Sequence, residues 1–502
     1  MKRIFQLMMV AFIGALLLQG FQCSSREMTT AKVAFQSKDY DKAIDFAQQE
    51  LTKNPQNEEA YLLLADIYLM KGNVKKAAEF AVKADQLPKK DEKLSQRPKL
   101  LLNKIWVESY NAGVDNLNRY YSTENEKFLD SAINYFETGK IVRPEMTDFY
   151  AFMGQAYELK GDTTLAISEY TDYYNKSKKD FDYLINNKFY INQNRRDILT
   201  ALGKPKFTSG ISGTQGDSLL TDLFLVGDKD LYIFYKDNKK DLNFQLVGLR
   251  YDPPQNWLPN EQSQWTTLNT SPIAALAQIY YYKQKYQDAL TYVKLLGSLE
   301  PENTNINAFM VQIYQDFGQM DEAFAYLQQL IKENPTNKLF YGQLGDLYQN
   351  QKEYTKAIEA YLKALEIDPT YELAIRNIAS SYKNRASIKQ GEIKAKMDAD
   401  KEYKPNFEEF FPDLRESAKY FEKAVKTPKY KDDFAVVSDL VNIYFVLDDK
   451  AKMNNYIEAM EKLETKIPEN QKEYYYLEMV KIFSSYVKDD AKRDLYRNKI
   501  KQ

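Results

Sequence analysis

Histidine is absent from this chain of 502 residues, and cysteine occurs once. The first absence removes the commonest general base and the commonest metal ligand. The second excludes an internal disulfide framework and a cysteine-based zinc site. Glycine (18) and proline (16) are scarce for the length, which disfavours low-complexity and disordered readings. Neither sign of charge is in excess: 69 Lys and Arg stand against 71 Asp and Glu, a net charge of −2. Nucleic-acid binders carry a basic patch, and this balance does not support one. There is no glycine-rich phosphate loop and no histidine for a catalytic triad. Paired carboxylates such as Glu58-Glu59 and Glu408-Glu409 sit in polar stretches, where charge runs are solvated. The expectation is a chain without catalytic site, cofactor, metal or nucleic-acid partner. Its length suits an array or several domains.

What the chain does have is a period. Tyr280, Tyr314, Tyr348 and Tyr382 are each 34 residues apart, as are Ala289, Ala323 and Ala357, and Pro301, Pro335 and Pro369. A fixed period of this length marks stacked helix-turn-helix units. The clearest copy runs from Lys338 to Tyr371, with Tyr341, Leu344, Gly345, Tyr348, Tyr354, Ala357, Tyr361, Ala364 and Pro369 at regular positions. Small residues at Gly345 and Ala357 let two helices cross closely. Leu344 and Tyr348 share one face of the first helix, and Tyr361 and Ala364 one face of the second. Asp368-Pro369 ends the second, because the residue before proline avoids helical geometry.

These nine positions resemble the tetratricopeptide repeat (TPR). The resemblance implies a mostly α fold, an α-solenoid of about nine repeats in two arms. Thr270–Asn303 and Thr304–Asn337 are full copies. The helix opened by Glu372 has its partner delayed to Glu416–Thr427, and Phe434–Lys466 is degenerate. Upstream, copies cover Ala31–Pro55, Glu58–Pro88, Trp106–Pro144 and Thr147–Lys179, the third with an inter-helix loop lengthened by roughly seven residues. Residues 24–180 are thus an N-terminal array, residues 270–466 a C-terminal array with a helical extension at 385–415, and residues 470–502 capping helices. The many tyrosines fill core positions.

Between the arrays, at 195–266, the period changes to two. Arg195–Gly203 is a short helix stopped at Gly203-Lys204-Pro205. Leu219–Val226, Leu231–Lys236 and Phe244–Tyr251 alternate as strands, with turns at Gly227–Asp230 and Asp237–Asn243. This predicts a small α+β domain with an antiparallel sheet, followed by a proline-stiffened linker carrying Trp257 and Trp265. The order of helix, Leu-Gly-Lys-Pro, Gly-Asp-Ser and strand meander is similar to small domains of outer-membrane assembly lipoproteins, over about 60 residues. The other reading is a spacer joining two arms.

At the N-terminus, Lys2 and Arg3 precede an apolar run from Ile4 to Leu18, the layout of a secretory signal. The only cysteine, Cys23, follows. This resembles a bacterial lipoprotein signal, which implies a signal peptide over 1–22 and lipidation at Cys23. The family's box has Leu at −3 and small residues at −2 and −1, whereas this chain has Gly20, Phe21 and Gln22. Cleavage near Cys23-Ser24-Ser25 to a soluble periplasmic protein, and a retained N-terminal helix, are the alternatives. The apolar run is short of the about 20 residues a span needs. All three readings put the bulk of the chain outside the cytoplasm. The first implies the periplasmic face of an outer membrane. A single thiol at the anchor position fits an oxidising compartment.

The family binds partners on the face of its first helices. Here that face carries Gln278, Tyr281, Asn305, Gln312, Gln315, Asp346, Gln349, Arg376 and Lys383. Family members that clamp a terminal carboxylate place Lys, Arg and Asn there; only Arg376 and Lys383 are cationic in this array. A face rich in Gln and Asn suits the backbone amides of an extended peptide, or is merely solvated. A second candidate is a projecting helix pair tipped with Phe407, Phe410 and Phe411; the other reading folds these rings back onto the neighbouring repeat. The functional expectation is a non-catalytic protein-interaction scaffold at the bacterial envelope. The alternative is an outer-membrane glycan-binding lipoprotein of the nutrient-uptake type, with Trp257 and Trp265 as its sugar platform.

Overall fold

The computed structural model describes residues 25–88, 96–209, 211, 218–237, 243–253 and 268–500. Residues 1–22, Cys23, Trp257 and Trp265 lie outside the described residues. The chain packs as two compact units, Met1–Ile306 and Asn307–Gln502. The first repeat beyond the sheet belongs to the first of these units.

In the first unit, antiparallel helix pairs follow one another: α1 (Arg26–Gln36) with α2 (Tyr40–Lys53), and α3 (Glu58–Met70) with α4 (Val74–Gln86). Next come α5 (Gln96–Thr123) with α6 (Glu126–Val142), and α7 (Asp148–Leu159) with α8 (Thr163–Asn186). The turns explain the regularity. Each first helix ends on a residue in the left-handed region, as at Lys38 (φ 62) and Gly72 (φ 75), 34 positions apart. At Gly72 the next N–H, that of Asn73, returns to the Tyr68 carbonyl at 2.8 Å, satisfying a helix-end acceptor. Asn73 then caps α4 by accepting from Lys76 N–H.

The third pair corrects an expectation. Its extra residues do not form a lengthened loop; they belong to α5, which begins ten residues before the copy and runs to Thr123, leaving only Glu124 and Asn125 between helices. Roughly seven residues make two helical turns, so the added length returns to the same face without breaking the helix.

Helix α9 (Arg195–Leu202) packs on a four-stranded antiparallel sheet of β1 (Phe207–Thr208), β2 (Ser218–Val226), β3 (Lys229–Asp237) and β4 (Gln245–Tyr251), in the order β1-β2-β3-β4. Val226 faces Lys229, so only Gly227 and Asp228 form the turn, with Gly227 at φ 66. The short edge strand β1 has no period-two signal, since two residues are too few to show one. One sheet face, with Leu220, Phe224, Leu231, Ile233, Tyr235, Leu246 and Leu249, shares a core with Tyr150, Phe181 and Ile198. The sheet is fused to α8. Tyr251 N–H donates to Asp180 at 2.9 Å, and Arg250 pairs with the same carboxylate at 3.3 Å.

Helices α10 (Ser271–Tyr282) and α11 (Tyr286–Leu299) follow. Leu276 and Ile279 of α10 pack directly on Ala166 and Tyr170 of α8. The sheet thus interrupts the sequence of repeats without interrupting their stacking inside this unit.

The second unit is reached along α12 (Thr304–Asp316), paired with α13 (Met320–Glu333). It continues with α14 (Lys338–Asn350) and α15 (Tyr354–Ile367), then α16 (Glu372–Ala399) and α17 (Phe411–Ala424). It closes with α18 (Phe434–Val446) and α19 (Lys450–Leu463), then α20 (Glu469–Lys481) and α21 (Asp490–Ile500). The architecture is a mostly α solenoid with a small antiparallel sheet. The last pair buries Tyr475, Met479 and Tyr496 against the preceding repeat.

Candidate protein-interaction face

In the first unit, Gln278 is exposed on α10, Tyr281 is half-buried in ring contact with Tyr282 and Tyr286, and Asn305 is exposed at the start of α12. They are separate positions along the surface of α10 and α12.

In the second unit the face of first helices is knit together. On α14, Asp346 Oδ1 accepts from Tyr361 Oη at 2.5 Å and from Asn377 Nδ2 on α16 at 2.9 Å. Ser381 Oγ on α16 donates to Gln349 Oε1 on α14 at 2.8 Å. Lys383 on α16 pairs with Asp439 on α18 at 2.7 Å. Ser438 and Asn442 of α18 bond Glu478 and Tyr486 at 3.1 and 2.6 Å. Each first helix from α14 to α18 is therefore tied to the next by side-chain hydrogen bonds, which fixes the spacing of the surface.

Electrostatics follow the packing. Burial pushes the Asp346 carboxyl above its usual range, opposed by the bonds from Tyr361 and Asn377 and by the charge of Arg376. Burial and the same carboxylate push the Tyr361 phenol up. Arg376 donates to Asn377 Oδ1 at 3.2 Å and keeps the rest of its guanidinium for the half-exposed surface. Exposed Gln312 bonds, among the described residues, only Asp316 of its own helix, one turn on, at 3.0 Å, and Gln315 is half-buried beside it.

Asp346, Gln349 and Lys383 thus lie on one run of linked helices with their polar groups spent on the neighbouring helix, whereas Arg376 bonds within its own helix. The partners Asn377, Ser381, Asp439, Ser438 and Asn442 were not picked out from sequence. One signal existed: Ser381 occupies the 34-residue position that carries Ile279, Ile313 and Leu347 elsewhere. A hydroxyl on that apolar stripe needs a partner.

The projecting pair is corrected in part. Phe410 is 2% exposed and sits in the core with Ile393 and Leu414, so it is no tip residue. Phe411 is half-buried, and only Phe407, at 47%, is exposed, its ring stacked on Phe411. The base is locked by Asp413, which takes Arg385 at 2.6 and 3.0 Å and Lys389 at 2.9 Å. Burial alone would raise this carboxyl; the three bonds hold it below its usual range.

Stacked antiparallel helix pairs with a bonded face of first helices define an α-solenoid of the protein-interaction class. Tetratricopeptide repeat models match residues 34–94, 310–337 and 339–371, and the chain is a tetratricopeptide-repeat protein. Among solved structures, MamA (residue 41 to end) from Desulfovibrio magneticus RS-1 is 14% identical, with a TM-score of 0.29, over 39% of this chain and 96% of that one. A human IFIT1 dimer with m7Gppp-AAAA is 13% identical, with a TM-score of 0.34, over 95% of this chain and 77% of that one. No curated protein matches. Among the described residues no helix is long and apolar enough to cross a membrane.

Proposed function

We propose that this protein is a non-catalytic scaffold, exported through its signal at 1–22, lipidated at Cys23 and held on the periplasmic face of a bacterial outer membrane. There the first-helix face of the second unit binds extended segments of partner proteins. The observation that carries the binding half is the run of inter-helix bonds Asp346–Asn377, Gln349–Ser381, Lys383–Asp439 and Asn442–Tyr486. A surface already fixed in this way loses little conformational entropy when a flexible peptide is laid on it. The anchoring half rests on the basic-apolar-cysteine order of residues 2–23.

Crosslinking and pull-down from membranes test both halves. Cys23→Ala is expected to release the chain into the soluble fraction; if it stays membrane-bound after salt washing, the anchor assignment fails. Gln312→Trp puts bulk on an exposed position of the face and is expected to remove crosslinked partners. An unchanged crosslink pattern moves binding elsewhere.

A further inference from the structure

The last repeat of the second unit departs from the others at one surface position. The residue after the repeat tyrosine is Gln315, Gln349 and Lys383 in successive copies, but Phe445 after Tyr444. Phe445 is 42% exposed, and its ring stacks on Tyr486 with centroids 4.0 Å apart and planes at 18°. Tyr486 and Val487 belong to a π-helical turn, Ile482–Val487, that joins α20 to α21. It closes on Lys488 in the left-handed region, whose N–H reaches back to the Phe483 carbonyl. Such wide turns re-aim side chains and recur at functional sites. Here the turn presents Val487, 39% exposed, beside Phe445.

Between this turn and the α18–α19 pair lies a cleft of about 320 Å³. Phe445, Met453, Tyr486 and Val487 give it an apolar lining, and exposed Asp448, Lys450 and Asn454 give it a polar one. Among the described residues these three polar side chains bond no other side chain. The volume lies at the small end of ligand pockets, about 300–1,000 Å³, which is room for one ring or branched side chain. The polar lining holds one cation, one anion and one amide. Asp448 repels a phosphate, whereas a peptide backbone offers both an N–H and a C=O to such a set.

We propose that this cleft is a specificity pocket for a single aromatic or large apolar side chain of an extended peptide, with Asp448, Lys450 and Asn454 bonding the flanking amides. The proposal deepens the peptide-binding reading of this unit and rests on it.

The test uses the full chain carrying ¹³C-methyl methionine, titrated with N-acetyl-phenylalaninamide. The Met453 methyl signal, identified by its loss in Met453→Leu, is expected to shift saturably. The shift is expected to vanish in Phe445→Ala and Val487→Asp, both altered at partly exposed positions and checked for unchanged melting. No shift with this probe overturns the pocket. An equal or larger response to N-acetylglucosamine overturns it in favour of a sugar. A shift that depends on protein concentration without any probe overturns it in favour of a second copy. Peptides selected by display on the same chain separate this proposal from its premise. Selected peptides that need an aromatic residue and bind Val487→Asp at least about tenfold more weakly support the pocket. Selected peptides indifferent to Val487→Asp sink the pocket and leave peptide binding standing. Failure to select any peptide sinks the peptide-binding reading, and the amide titration still decides the pocket.

Discussion

Gly345 lies against the ring of Tyr361, so closely that a Cβ added there would stand 2.4 Å from the Tyr361 Cε1 atom. The same relationship recurs at Gly154 with Tyr170, also at 2.4 Å. The glycine is a steric requirement of helix crossing: α14 and α15 approach over it, and the tyrosine ring fills the space a side chain would take. Tyr361 has no room to retreat, being fully buried and bonded to Asp346. Gly345→Ala is therefore expected to destabilise the second unit by about 1–3 kcal/mol, the usual cost of overpacking. Urea unfolding followed by circular dichroism checks this, and Tyr361→Leu in the same chain is expected to recover part of the loss. An unchanged midpoint for Gly345→Ala would mean that the helices separate at no cost.

The sheet of the first unit is held to α9 by a buried charge. Asp222 is 0% exposed and receives Arg195 Nε and Nη2 at 2.7 and 2.9 Å and Thr208 Oγ1 at 2.6 Å. Removing one partner of a buried pair leaves an uncompensated charge, at about 3–5 kcal/mol. Arg195→Ala is expected to cost that much, while Arg195→Met with Asp222→Leu costs far less, because both charges leave together. Hydrogen exchange of β2 and β3 amides reads the difference. Equal protection loss in single and double variants would show that the pair contributes geometry and little else.

The repeats were legible because packing imposes them: small residues at crossings such as Gly345 and Ala357, and tyrosines half-buried at a fixed period, recur in most copies. The sheet was legible because its strands alternate. What sequence could not supply was the third dimension between copies. Asp346, Gln349 and Lys383 fall on a polar face, and periodicity does not say that Asn377, Ser381 and Asp439 of the next helix will meet them. Nor does a cluster of three phenylalanines say which ring turns inward; Phe410 does because Ile393 and Leu414 offer it a core. The added residues of the third copy read as a lengthened inter-helix loop, because extra length between repeat positions does not say whether it is helix or loop; in the structure they continue α5.

Asp148 makes the first unit sensitive to pH. It opens α7, where burial raises its carboxyl to about 6, opposed by the charge of Arg250 on β4. Unfolded, it titrates near the ordinary value of about 3.9. The folded chain thus holds this proton at pH values where the unfolded chain has lost it. Its contribution to stability is greatest below about pH 4 and is lost as pH rises through about 6. Other carboxylates titrate in the same range, so the difference between wild type and Asp148→Asn isolates the effect. The variant is expected to melt higher than wild type at pH 7, with the gap closing as pH falls below 5. A gap that is constant with pH would place the titrating group elsewhere.

Asp346 and Gln312 separate scaffold from binding on the same face. Truncating Asp346 to Ala removes the short-range acceptor of Tyr361 Oη and Asn377 Nδ2 and leaves them only the longer contacts to Gln349 Oε1 at 3.5 Å and to Tyr361 Oη at 3.4 Å. Poorly satisfied buried polar groups cost up to about 1–3 kcal/mol, so Asp346→Ala is expected to lower the unfolding midpoint whether or not a partner is present. Gln312 is exposed and, among the described residues, bonds only Asp316 within its own helix, so Gln312→Ala is expected to stay within about 0.5 kcal/mol of wild type. If the face binds peptides, Gln312→Ala weakens capture without moving the melting curve, and Asp346→Ala weakens it only as far as it unfolds the repeat. Calorimetric melting paired with crosslinking yield at 25 °C resolves the two. Full capture by folded Gln312→Ala together with full capture by Asp346→Ala below its melting range would remove this face from the binding site and leave the bonded residues a purely structural role.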